Sequence, residues 1–173
     1  LAFSTVWELT PSAEVVNVRF FKSVIASKAA FTYEEAQNRK DDLSLNDAIT
    51  ESIRLLNDMA IKLRRGRMEA GALNLASPEV RIHLDSAESS APIDVEQKEM
   101  RETNSLVEEF MLLANTSVAR RIYEAYPTTG VLRRHAPPPA DNFETLQDIL
   151  KKRRGMDLDV SSSGALAASL DRC

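Results

Sequence analysis

Cysteine is almost missing from this chain: the one example, Cys173, is the last of 173 residues, so no disulfide can close within it. A disulfide framework, the usual support of small secreted domains, is excluded, and a nuclear or cytoplasmic setting is expected. No apolar run approaches the roughly 20 residues that a helix needs to cross a bilayer, and no basic stretch followed by an apolar one stands at the N-terminus. No membrane partner is expected. Local catalytic motifs are missing as well: there is no Walker-type glycine loop, dinucleotide fingerprint, CxxC pair or HExxH. The two histidines, His83 and His135, stand far apart.

What is present describes a folded chain. Hydrophobic residues make up 43% and charged residues 28%, with only 5 glycines and 7 prolines, enough apolar surface to offset the entropy of ordering. The length fits one domain or part of a larger one. A net charge of −4 disfavours a surface that binds nucleic acid all over, but the basic residues are unevenly placed. Lys62, Arg64, Arg65 and Arg67 form one cluster, Arg133 and Arg134 a second, and Lys151 to Arg154 a third. The aspartates Asp157 and Asp159 have a spacing open to metal binding, yet in a Lys/Arg-flanked segment they read as a solvated turn. Leu1 falls inside a strand-like run, LAFSTVWEL, and Cys173 follows an apolar one, GALAASLDRC. Residues 1–173 are therefore expected to be an excerpt of a longer chain.

Alternation over Leu1 to Leu9, a Thr-Pro-Ser turn at 10–12 and a β-branched, aromatic run from Val15 to Ile25 predict two antiparallel strands. Thr32 with Glu35 three residues on predicts a capping box and a short helix to about Asn38. Ile49, Ile53, Leu56, Ala60 and Leu63 share a helical face, predicting a helix from Asn46 that ends before Gly71. Ala72–Leu75 and Val80–Leu84 read as strands about a Ser77-Pro78 turn, and Ser86–Pro92 as a polar loop. A helix from about Asp94 or Glu102 to Ala125 is apolar nearly all round, which predicts that it is buried. A short strand at Gly130–Leu132, a proline-rich loop, a helix over Asn142–Lys152 and a last helix from about Ser162 follow. The predicted fold class is α+β: one antiparallel sheet from segments near 1–9, 14–25, 72–84 and 130–134, packed by helices near 46–68 and 102–125.

Within the apolar helix, Arg101, Asn104, Glu108 and Asn115 fall in one narrow stripe. Polar groups in a core need partners, so the stripe predicts either a buried ion pair between Glu108 and a basic residue of the same domain, or a face turned to a ligand channel.

The segments EAGALNLASPEVR at 69–81, NSLVEEFMLLAN at 104–115, LRRHAPPP at 132–139 and SLDRC at 169–173 together resemble the RNB domain of RNase II-type exoribonucleases. They are most similar to the branch that works in the eukaryotic RNA exosome, and the resemblance runs over almost the whole chain. It implies an internal part of one RNB domain, in a parent enzyme that hydrolyses single-stranded RNA processively from the 3′ end to nucleoside 5′-monophosphates. It implies Mg²⁺ as cofactor, two ions held by aspartates upstream of the matched region, with a supporting arginine downstream of it. The excerpt alone is then expected to be inactive, and a catalytically inactive RNA-binding module of the same fold is the alternative. Implied partners are single-stranded RNA and other exosome subunits, with no DNA.

By the same resemblance, Tyr33 of an LTYE-like segment and Glu108, first glutamate of the VEE segment, lie beside the terminal riboses. A carboxylate can accept the proton of a 2′-hydroxyl while a phenol fixes its geometry. Leu75 stands where bacterial members carry a base-stacking aromatic, so either an apolar wall replaces stacking there or another aromatic supplies it. Arg67, Arg133 and Arg134 are candidates for backbone phosphates, and His135 for capping that loop or touching RNA. For each of these four, plain surface charge is the competing reading.

Overall fold

The computed structural model describes all residues except 74–79, 87–88, 98–99, 134–135, 140 and 173, and only the backbone over 80–86 and 89–97. Strands β1 (Ala2–Leu9) and β2 (Val15–Ser23) pair antiparallel, from Ala2 opposite Ser23 to Trp7 opposite Val18, with a bulge after Glu8. The turn between them is held by the Thr10 side chain, which accepts from the Glu14 amide at 3.1 Å. It also places Ala13 in the left-handed region at φ 66°, an uncommon conformation for a residue with a side chain.

Helix α1 (Tyr33–Asp41) starts at the expected capping box. The Thr32 hydroxyl accepts from the Glu35 amide, and the Glu35 carboxylate accepts from the Thr32 amide at 2.7 Å. That bond from the Thr32 amide holds the Glu35 carboxyl below its usual range. Helix α2 (Ala48–Glu69) is capped by Asp47, whose carboxylate accepts from the amides of Ile49 and Thr50. Bonds from Arg39 and from the Thr50 hydroxyl hold the Asp47 carboxyl far below the ordinary range. The predicted face of α2 largely holds: Ala60 is buried and Ile49, Ile53 and Leu63 are half-buried, but Leu56 is exposed and the polar Thr50 and Asn57 are buried as well.

Beyond α2, strands β3 (Val80–Ser86) and β4 (Ser89–Gln97) form a second antiparallel pair. The expected polar loop at 86–92 is mostly strand, because pairing with β3 satisfies its backbone whatever its side chains. The Ser77-Pro78 turn lies outside the described residues. The α+β class stands, but among the described residues the strands make two separate two-stranded sheets rather than one, and residues 130–133 form no strand.

Helix α3 (Glu102–Ala125) runs through the middle of the helical part. It contacts α1 and α2, and β1 reaches it through Trp7, whose indole donates to the Ser117 hydroxyl at 3.1 Å and whose ring lies 6.5 Å from Phe110. It is less buried than its apolar composition predicts: only Thr103 and Glu109 are fully inside, and Met111 is 57% exposed. Helices α4 (Asp141–Arg154) and α5 (Ser163–Leu170) complete the chain, α5 capped by Ser162. The start of α5 meets the end of α2 at Gly71, where the Ser163 hydroxyl donates to the Gly71 carbonyl. Gly71 has φ 91°, and a Cβ on it would sit 3.2 Å from the Gly164 Cα, so both conformation and space call for glycine. No helix among the described residues is long and apolar enough to cross a membrane.

Candidate functional site

The α2–α3 seam is built from polar side chains at helical spacing. Asn57 donates to Glu102 at 3.0 Å, Arg64 to Ser105 at 3.0 Å, and Arg67 to Glu109. These pairs ascend along both helices, so α2 and α3 run in the same sense. The long connection through β3 and β4 makes that parallel course possible. Ala60, 3% exposed, is small enough to let the helices approach between the bonded pairs.

At the end of the seam Glu109 is buried, its side chain 3% exposed, and it accepts two hydrogen bonds from one guanidinium. Arg67 Nη2 lies 2.5 Å from Oε1 and Nε lies 3.1 Å from Oε2, a two-pronged contact that fixes both groups. Glu109 raises the Arg67 pKa further above its ordinary value, so the cation is permanent. The same Nη2 stands 3.7 Å from Glu108, whose side chain is 47% exposed. The expected buried ion pair therefore exists, but its acid is Glu109 and not Glu108. One residue along a helix is a rotation of about 100°, so the face that meets α2 lies one residue beyond the predicted stripe.

Tyr33 opens α1 with its side chain about half exposed. Its carbonyl accepts from the Thr103 hydroxyl at 2.8 Å, and the Thr103 amide donates to Gln37 at 3.2 Å. Thr103 thus ties the start of α1 to the first turn of α3, only five residues, or about 7.5 Å of helix rise, before Glu108. Lys40 joins the same corner, 3.0 Å from Glu102; its bond holds the Glu102 carboxyl below the usual range, with Asn57 second. Tyr33, Glu108 and Arg67 are in this way anchored around the N-terminal half of α3. Arg133 is exposed. Leu75, Arg134 and His135 lie outside the described residues. Among the described residues no group of three His, Cys, Asp or Glu is arranged to hold a metal.

Glu109 is the residue that sequence reasoning passed over. A signal for it exists: Glu102, Ser105 and Glu109 recur at steps of three and four, the same spacing that faces α2.

An RNB domain model matches the chain over residues 1–173. The chain belongs to the RNB domain family. Curated relatives agree: "Exosome complex exonuclease dis3" of Schizosaccharomyces pombe is 56% identical over 172 residues, and "Exosome complex exonuclease RRP44" of Homo sapiens is 50% identical. Each alignment covers 99% of this chain and 18% of the relative, so the RNB family chain spans under one fifth of their length. Among solved structures, Mycoplasma genitalium RNase R in complex with ribose methylated single-stranded RNA superposes with a TM-score of 0.80 at 18% identity. That match covers 96% of this chain and 26% of the RNase R chain, and it shows a shared fold.

Proposed function

We propose that the chain is the RNA-holding portion of a processive 3′→5′ exoribonuclease that degrades single-stranded RNA to nucleoside 5′-monophosphates. The observation that carries this reading is the family match over the full 173 residues, together with 56% identity to an exosome exonuclease. Residues 1–173 are an internal part of one RNB domain in that parent protein. Its work is RNA processing and decay in the nucleus, the cytoplasm or both, alongside other exosome subunits.

Glu108 accepts a hydrogen bond from a ribose 2′-hydroxyl near the 3′ end, and Tyr33 orders the same ribose. The outward carboxylate of Glu108 supports the assignment, since an acceptor for a ligand must not be consumed inside the fold. Leu75 supplies an apolar wall for a base. Arg133, with Arg134 and His135, meets the phosphate backbone, and Arg67 has only Nη1 outside its contacts with Glu109 and Glu108. Mg²⁺ supplies activation of the attacking water and stabilisation of the departing 3′ oxygen in the parent enzyme. Among the described residues no group of His, Cys, Asp or Glu fits that ion.

The test uses the full-length protein and a single-stranded RNA labelled at its 5′ end. Stepwise shortening from the 3′ end with release of 5′-monophosphates is the expected result. RNA binding without shortening would replace the enzyme by the inactive binding module. Glu108→Ala should relax the preference for RNA over DNA more than it weakens total binding; an unchanged preference would remove Glu108 from the ribose. Arg133→Ala should lower affinity and flatten its salt dependence without altering sequence preference.

A further inference from the structure

Neighbouring glutamates at 108 and 109 meet opposite surroundings, and one arginine links them. Glu109 is inside and has both carboxylate oxygens bonded to Arg67, whereas Glu108 is half exposed and shares the Arg67 Nη2 at 3.7 Å. A carboxylate that reads a ribose works beside a row of phosphates, where its own charge is repelled and its rotamers are free. A fixed cation at its flank relieves the repulsion and narrows the rotamers. A lysine would be a mobile point charge there, but a guanidinium clamped at two points keeps its plane, and with it the Nη2 that faces Glu108, in place.

We propose that Glu109 is a positioning residue for ribose recognition: by clamping Arg67 it holds the guanidinium against Glu108 and so presents the Glu108 carboxylate to the 2′-hydroxyl. The proposal rests on the reading of Glu108 as the ribose acceptor. It assigns Glu109 a part in specificity although Glu109 itself is sealed from RNA. Three side chains then act in series, the innermost setting the outermost.

The experiment measures, in the full-length protein with a chelator present to stop cleavage, affinity for single-stranded RNA and for DNA of the same sequence. The variants are Glu108→Gln, Glu109→Gln, Arg67→Lys and the double Glu108→Gln/Glu109→Gln. Glu109→Gln should lower the RNA-over-DNA ratio roughly ten-fold, the scale of one hydrogen bond to a charged group. Arg67→Lys, which keeps the charge and loses the two-pronged grip, should fall between wild type and Glu109→Gln. The double variant should be no worse than Glu108→Gln alone, because both changes disable one device. A purely structural Glu109 would weaken RNA and DNA alike; that constant ratio, with Glu108→Gln still lowering it, overturns the proposal. Additive losses in the double variant overturn it too. If Glu109→Gln does not fold, Arg67→Lys decides alone by the same ratio. A wild-type ratio in Glu108→Gln removes the ribose reading itself, and the proposal with it.

Discussion

Toward α2, helix α3 presents Glu102, Ser105 and Glu109, each hydrogen-bonded across the seam, while half a turn away Val107, Met111 and Val118 are 38, 57 and 37% exposed. A rotation of about 100° per residue puts these two sets on opposite sides of the cylinder. At Glu109, 3% exposed, against Met111, 57% exposed, the usual arrangement of apolar residues inside and polar residues outside is reversed. Burial of a polar group is costly only when it lacks a partner, and every buried polar side chain of this seam has one. Complementary hydrogen bonding, and not hydrophobic content, locates the interior of the α2–α3 pair. The apolar face is a separate matter: it is a surface that the described residues leave uncovered.

The contrast can be broken or sharpened by substitution on each face. The largest effect is expected from Arg67→Ala, which strands the buried Glu109 carboxylate; loss of one partner of such a pair destabilises by about 3 kcal/mol. Faster hydrogen exchange of the α3 amides would register it, and wild-type protection would show that the seam does not depend on this pair. Thr103→Val keeps the shape but removes the donor to the Tyr33 carbonyl, with an expected loss of about 1–2 kcal/mol seen as faster exchange in α1.

Acid should probe the seam more gently. Because the Lys40 bond lowers the Glu102 carboxyl below its ordinary 4.5, its contribution is complete above the unfolded value and fades as pH falls through the lower folded one. Circular dichroism during acid titration should show this loss, and Glu102→Gln should remove that part of the curve. Salt should reduce the effect, since the carboxylate is largely exposed. The smallest change is expected on the opposite face: Met111→Gln should alter stability in urea by no more than about 0.5 kcal/mol. A loss above about 1 kcal/mol would mean that this face is covered, and the reversal between Glu109 and Met111 would no longer hold.

Much of the fold was legible because its causes are local. The capping box at Thr32, the helix starting near Ser162 and the paired β1 and β2 depend on residues that are near neighbours or are joined by one turn. The β3–β4 pair was half missed, since β4 carries polar residues and only its partner strand makes it a strand. The candidate site was legible to within one residue. Glu108 and Arg67 were singled out and do lie together, but the buried acid is Glu109. Hydrophobic periodicity identifies residues that share a face without stating which neighbour the face will meet. In α2 the apolar spacing identified Ala60 but not the buried polar residues Thr50 and Asn57, for the same reason.

The helices, the β1–β2 hairpin, the capping box at Thr32 and the segments that mark the RNB family were determined by the sequence alone, because each depends on residues near one another. Which of two adjacent glutamates is buried was decided only by tertiary structure. Arg67 and Glu109 are 42 positions apart, and the rotational phase of α3 against α2 brings them together. A step of one residue would have exchanged the two roles, which no local preference could choose.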